Sequence, residues 1–399
     1  MKRKFTSVII LYCCMIATVS AQWSIQTSGT TDYLQSVYFT DANTGYIVGN
    51  NGTILKTTDS GSNWIAQTSG TTYWLYSINF TDANTGYAVG DFGTILKTIN
   101  GGTNWTTLTS GTYSYFNSVY FSSLSDGYSV GSSGAIYKTT NSGTTWLAQT
   151  SGTTNWLCSV CFTDANTGYA VGATGTIIKT IDGGTNWVTQ TSGTTLDLQS
   201  VYFTDINTGY VVGKDASLNS KILKTINGGS TWVEQANFTV LQLYSIYFTD
   251  ANIGYAVGNG YKILKTIDGG ANWSQQTLGT HYFLFSVFFT DANTGYTVSS
   301  NGLILKTTNG GTTFVEEIQN NFSVYPNPAT DKIIIENSKT IMQNYIVTIN
   351  NIQGQEIFTK NISQNTNQTI DVSKLENGIY FLTIHNDKEN YVSKILIQK

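Results

Sequence analysis

Few side chains in this sequence stand in spacings that could do chemistry. Cys158-Ser159-Val160-Cys161 has the spacing of a redox pair or of half a zinc site. The surrounding pattern is that of a β-strand, where residues three apart point to opposite faces. There is no second cysteine pair downstream, and the histidines, His281 and His385, lie far apart in sequence. Both thiols are therefore expected to be buried and inert. Asp41-Ala42-Asn43-Thr44-Gly45 resembles a calcium loop but lacks the downstream bidentate acid. The corresponding Ser123-Leu124-Ser125-Asp126-Gly127 keeps the pattern around it, so these segments read as hairpin turns. Glycoside hydrolysis needs two carboxylates facing each other across a cleft. Most acids here sit in repeated turns, and among the exceptions, such as Asp32, Asp91, Asp197 and Asp215, the sequence sets no two opposite each other.

The elements that must position these groups come from an internal repeat. Aromatic markers fall at Trp23, Trp64, Trp105, Trp146, Trp187, Trp232, Trp273 and Phe314, with steps of 41 residues and one of 45. The long step reads as a four-residue insertion in the Lys214–Ser220 loop. Each unit holds four short runs of alternating apolar residues split by Asn/Gly turns. An example is Leu75–Phe80, Tyr87–Gly90, Thr94–Thr98 and the run opened by Trp105. A four-stranded unit of about 40 residues is a propeller blade. First strands open near Leu34, Leu75, Phe116, Leu157, Leu198, Leu243 and Leu284, which predicts seven blades. The fourth-strand markers number eight. Either the Trp23 strand completes the last blade and closes the ring, or Phe314 closes its own blade and Trp23 packs outside.

The turn before each Trp repeats Thr57-x-Asp59-x-Gly61-x-x-Trp64, with Asn for Asp in four of seven units. A side-chain oxygen capping the turn, a glycine at positive φ and an aromatic packed between blades explain it without catalysis. In this pattern residues 22–318 resemble the Asp-box propellers, most closely the photosystem II stability/assembly factor-like group. The resemblance implies the fold. The photosynthetic members' use of an arginine-rich surface does not carry over, because the only arginine is Arg3. Sialidases of the same architecture grip a carboxylate with three arginines, which excludes that activity.

The periodicity stops after Asn321. Residues 322–399 start with Pro326, Asn327 and Pro328. A turn at Asn351–Gln355 carries Gly354, the segment Leu375–Tyr380 carries Gly378 and Tyr380, and Lys394 opens the chain end. Six predicted strands make a small Ig-like β-sandwich. In these motifs the module looks like the type IX secretion system C-terminal sorting domain of Bacteroidetes. The resemblance implies the secretion machinery as partner, passage through the periplasm, and release or attachment at the cell surface.

Residues 1–21 read as a signal peptide: Lys2-Arg3-Lys4, an apolar Val8–Met15, and a small-residue site at Val19-Ser20-Ala21. Its removal leaves 17 lysines against 24 acids, a net charge of −7. That excludes a nucleic-acid partner, which needs Lys and Arg on phosphates. No later segment is long and apolar enough for a transmembrane helix.

The expectation is an all-β protein: a seven-bladed β-propeller followed by a small β-sandwich, with no cofactor, no metal and no catalysis. The function expected is binding or adhesion to an extracellular protein or glycan; the alternative is a secreted glycan-active hydrolase. The loops entering the first strands vary while the opposite turns are nearly copied. The residue before each first strand is Tyr33, Trp74, Tyr115, Trp156, Asp197, Gln242 and Phe283. The five aromatics are the candidate ligand contacts, unless they merely cap the blade cores.

Overall fold

The structure, a computed structural model, describes residues 23–239, 241–260, 262–276, 283–311, 322–337, 345–352, 354–362, 368–386 and 390–399. They fall into two compact units, one before residue 314 and one after it. The expected signal peptide and Phe314 lie outside the described residues.

The first unit is a seven-bladed β-propeller of four-stranded antiparallel sheets. Blade 1 is built from Leu34–Phe39, Gly45–Gly49, Ile54–Thr57 and Ile65–Gln67, and the pattern repeats through Ser274–Gln276 in blade 6. Blade 7 takes Leu284–Phe289, Gly295–Ser299 and Ile304–Thr307 from one end of the unit and Ser24–Gln26 from the other. Ser24 pairs with Lys306 and Gln26 with Ile304. The N-terminal strand thus closes the ring and occupies the place that Phe314 would have needed. The insertion in blade 5 is more than a loop. It lengthens the second and third strands to Gly209–Lys214 and Ser220–Thr225, with Lys214 opposite Ser220.

The core consists of clusters that straddle neighbouring blades, such as Tyr46, Val48 and Ile54 of blade 1 with Leu75, Ile78 and Phe80 of blade 2. Each second-strand tyrosine stacks on the next blade's first-strand phenylalanine, Tyr46 on Phe80 at 4.1 Å and Tyr296 on Phe39 at 4.1 Å. The Thr-x-Asp/Asn-x-Gly-x-x-Trp turn is a closed hydrogen-bonded unit. Thr57 Oγ1 donates to Asp59 Oδ1 at 2.8 Å, the Gly61 N–H donates to Thr57 Oγ1 at 2.9 Å, and Gly61 has φ +81°. Trp64 is buried, edge-on to Phe39.

The second unit pairs a three-stranded sheet with a four-stranded one around a core that includes Ile333, Ile335, Val347, Leu382 and Ile395. The six predicted strands are present within a residue or two, and Phe322–Tyr325 is a seventh that pattern reading missed.

Candidate functional site

Every first strand carries a β-bulge after its opening residue, seen as a register shift between Leu75 and Ser77 in blade 2. The bulge turns the second and fifth residues of the strand toward the propeller axis. The second positions are polar or thiol in four blades (Gln35, Asn117, Cys158 and Gln199) and aromatic in three (Tyr76, Tyr244 and Phe285). All seven line one cavity of about 450 Å³, so it lies on the axis. Trp156, Asp197 and Ala173 complete its wall on the face where chains enter the first strands. Deeper in, fifth-position rings pack side by side: Tyr38 on Phe288 at 5.3 Å, Phe288 on Tyr247 at 5.2 Å, and Tyr247 on Tyr202 at 5.0 Å.

The bulge also corrects the expectation that Cys158 and Cys161 face opposite ways. Both turn toward the axis, Cys158 into the cavity and Cys161 into the ring layer. They are unpaired. Burial pushes Cys158 up to about 11 and Cys161 up to about 12, so neither is a thiolate at neutral pH.

The third residue of the first strand is serine in all seven blades. In six of them its Oγ accepts the N–H of the fourth residue of the next blade, as in Val119 to Ser77 at 3.1 Å. The strands around the axis are thereby tied to one another, and the cavity has a fixed frame.

The five candidate aromatics stand around that cavity's face. Trp74 is 40% exposed, Trp156 51%, Tyr33 43% and Phe283 49%, while Tyr115 is half-buried. Their backbones are held by the loop between second and third strands: the Asp91 N–H donates to the Trp74 carbonyl at 3.0 Å and the Ala173 N–H to the Trp156 carbonyl at 2.8 Å. Glycine makes that approach possible, because a Cβ at Gly90 would lie 1.8 Å from the Trp74 carbonyl oxygen. The rings form a path across three blades, Tyr73 to Phe92 at 5.1 Å, Phe92 to Tyr115 at 5.1 Å and Tyr115 to Trp156 at 6.2 Å. Tyr73 and Phe92 were not among the candidates before each first strand; both are exposed.

Of the four acids Asp32, Asp91, Asp197 and Asp215, two are consumed by their own loops. Asp32 accepts from Thr53, Asn51 and Thr30, and its carboxyl lies below the usual range, chiefly through the Thr53 hydrogen bond. Asp215 accepts the backbone and side-chain N–H of Asn219. Asp91 lies beside Tyr76, and burial together with that carboxylate raises the Tyr76 phenol. Asp197 stands at the cavity rim and accepts the Thr174 N–H at 3.0 Å. On the opposite face, Asp41 Oδ1 accepts the N–H groups of Asn43 and Thr44 at 2.7 and 2.8 Å, which is turn capping. Among the described residues no group of three or more His, Cys, Asp or Glu is placed to hold a metal ion, and no helix is long and apolar enough to cross a membrane.

A sequence profile of the photosynthesis system II assembly factor YCF48 matches residues 15–157 and 151–237. The chain belongs to that family. Two solved YCF48 structures are similar in fold: one bound to D1 peptide (TM-score 0.62, 20% identity, 72% of this chain and 97% of that one) and one from Cyanidioschyzon merolae (TM-score 0.62, 20% identity, 72% and 99%). The WD40 propeller domain of Doa1 is similar at TM-score 0.56 and 14% identity, over 71% of this chain and 96% of that one. No curated protein matches the chain by sequence. Residues 323–398 match the secretion system C-terminal sorting domain, so this YCF48-like propeller carries a type IX sorting tail and is destined for the outer cell surface or the medium.

Within the tail, Asn327 lies along the last strand, Asn390–Ile397. Its Nδ2 donates to the Lys394 carbonyl at 2.8 Å and its Oδ1 accepts the Leu396 N–H at 2.8 Å. The Ala329 N–H donates to the Leu396 carbonyl, and the Gln398 N–H returns to the Ala329 carbonyl. The segment holding Pro326 and Pro328 thus covers a sheet edge that would otherwise be open. Gly354 takes φ +78° in the Asn351–Gln355 turn, Gly378 opens a strand, and Tyr380 donates to the Glu376 carbonyl. The Lys394 side chain is exposed.

Proposed function

We propose that the protein is an exported binding propeller, non-catalytic, that holds an extracellular polypeptide or glycan on the face where chains enter the first strands. The observation that carries this reading is the exposure of Trp74 and Trp156, with Tyr33 and Phe283, around an axial cavity. Rings that only capped blade cores would be buried, as Trp64 and Trp146 are. Exposed aromatic area beside polar groups supplies apolar contact with hydrogen bonding at its edge. A family relative whose structure is described as bound to a peptide supports a polypeptide as one kind of ligand.

In this reading residues 1–21 direct the chain to the periplasm, the Thr-x-Asp/Asn turns are structural Asp boxes, and the tail delivers the propeller to the type IX machinery. Consumption of Asp32 and Asp215 by their own loops weighs against the hydrolase alternative. The test is a glycan and peptide array probed with the signal-free chain, residues 22–399. The Trp74→Ala/Trp156→Ala double variant should fold normally and lose at least about tenfold in affinity. Unchanged binding by that variant overturns the assignment of the face.

A further inference from the structure

Resting on that reading of the face, we propose that the axial cavity receives a basic side chain, lysine or arginine, presented by a polypeptide. The wall is polarised toward accepting hydrogen bonds. Gln35 spends an amide N–H on Asn50 Oδ1 at 3.2 Å, Asn117 on the Leu157 carbonyl at 2.8 Å, and Gln199 on the Asp197 carbonyl at 3.3 Å. Among the described residues no protein donor reaches their amide oxygens, while Gln35 and Asn117 each keep a second N–H. A phenol on the wall also spends its proton inward, Tyr244 on Gln242 Oε1 at 3.1 Å. A ligand group that brings donors matches these acceptors, and ammonium and guanidinium are donors only.

Charge points the same way. Asp197 stands at the rim, and beside Tyr76 the Oδ1 of Asp91 is buried with no partner among the described residues. Tyr76, Tyr244, Phe285 and Trp156 line the cavity, and aromatic rings attract a cation and give contact area to an alkyl stem. Among the described residues the one cation against this wall is Lys214, whose Nζ lies 5.1 Å from the centre of the Tyr244 ring. The wall thus already holds one cation on an aromatic face. The volume, about 450 Å³, admits a side chain but not a folded segment, and the exposed Trp74 and Phe283 outside it leave surface for the chain that carries it. An arginine-free propeller of negative net charge has little to offer an anionic ligand here.

The experiment titrates residues 22–399 with pentapeptides, capped at both ends, that carry lysine, arginine, N-ε-acetyl-lysine or glutamate between glycines. Butylammonium is the small-cation probe, and intrinsic tryptophan fluorescence and calorimetry are the readouts. The lysine and arginine peptides should bind at least about tenfold tighter than the acetyl-lysine and glutamate peptides. Asp197→Asn should remove that preference, while Asp205→Asn, on the opposite face, should leave it intact. Equal binding of acetyl-lysine, absence of any cation binding at millimolar concentration, or butylammonium matching the peptides would overturn the inference. A charge preference that fails while the Trp74/Trp156 variant still loses its array ligand leaves the binding face standing. An empty array together with silent titrations removes both.

Discussion

The Lys306 ammonium donates to the Ser60 carbonyl at 2.7 Å, joining residues 246 positions apart. Tyr296 donates to the same oxygen at 2.7 Å, and the lysine sits 5.6 Å from the centre of the Tyr296 ring. The clamp recurs at every blade boundary, from Tyr46 and Lys56 on Gly101 to Tyr255 and Lys265 on Gly310. At six boundaries it joins blades adjacent in sequence. At this one it joins the last blade to the first.

Lys306→Met keeps the alkyl stem and removes the donor. A hydrogen bond to a charged group contributes about 1.5–3 kcal/mol, and partial exposure puts this one at the lower end. Urea unfolding should show a loss of about 1–2 kcal/mol. Tyr296→Phe, which leaves the lysine on the same carbonyl, should cost less. A Lys306→Met protein as stable as the parent would show that the clamp does not hold the ring closed.

Trp146 is buried at the boundary of blades 2 and 3, edge-on to Phe121 with ring centres 6.0 Å apart. Trp146→Ala should cost roughly 3–5 kcal/mol, as truncation of a large core aromatic does. A measured change below about 1 kcal/mol would mean that the repeated tryptophan is not a packing anchor.

The blade count was legible because the spacing and the turn chemistry agree at every unit. Ring closure was not, because Trp23 and Phe314 carry the same marker and only strand pairing separates them. The cavity was missed for a different reason. Its lining comes from the residue after the strand opening, which reads Gln35, Tyr76, Asn117, Cys158, Gln199, Tyr244 and Phe285 and forms no motif. A signal was nevertheless present: within a copied strand that position changes from blade to blade, while the serine beside it never does. The cysteines were misplaced because strict alternation was assumed where a bulge shifts the register. Asn327 was legible as part of a motif but not as an edge cover, since its partners are 67 and 69 residues away.

Asp182 and Asn186 make an acid-sensitive contact. Asp182 accepts the Asn186 backbone N–H at 2.9 Å and a side-chain N–H at 2.7 Å, and these bonds lower its carboxyl to about 2. A carboxyl lowered in the folded state stabilises above its unfolded value, near 3.8, and loses that contribution as pH falls through the folded value. Asn occupies the same place in four other turns, so Asp182→Asn should unfold near the parent temperature at pH 7. Between about pH 4 and pH 2 it should lose less stability than the parent does. Parallel melting curves for the two proteins over that range would show the carboxylate to be idle.

A change at Asn327 separates the two units. Its side chain makes the two hydrogen bonds that a neighbouring strand would make to Lys394 and Leu396. Asn327→Ala removes both and leaves a carbonyl and an N–H of an exposed edge strand to water, at a cost of about 1 kcal/mol. Asn327→Asp keeps an acceptor for Leu396 but turns a carboxylate toward the Lys394 carbonyl, so it should be no better. The propeller has its own core and its own closure, and its melting transition should not move in either variant. Differential scanning calorimetry of residues 22–399 reads the two transitions separately, and export assays read delivery. The expected result is a lowered sorting-domain transition, an unchanged propeller transition and reduced export. A sorting domain that melts at the parent temperature in both variants would show that the edge is held without Asn327.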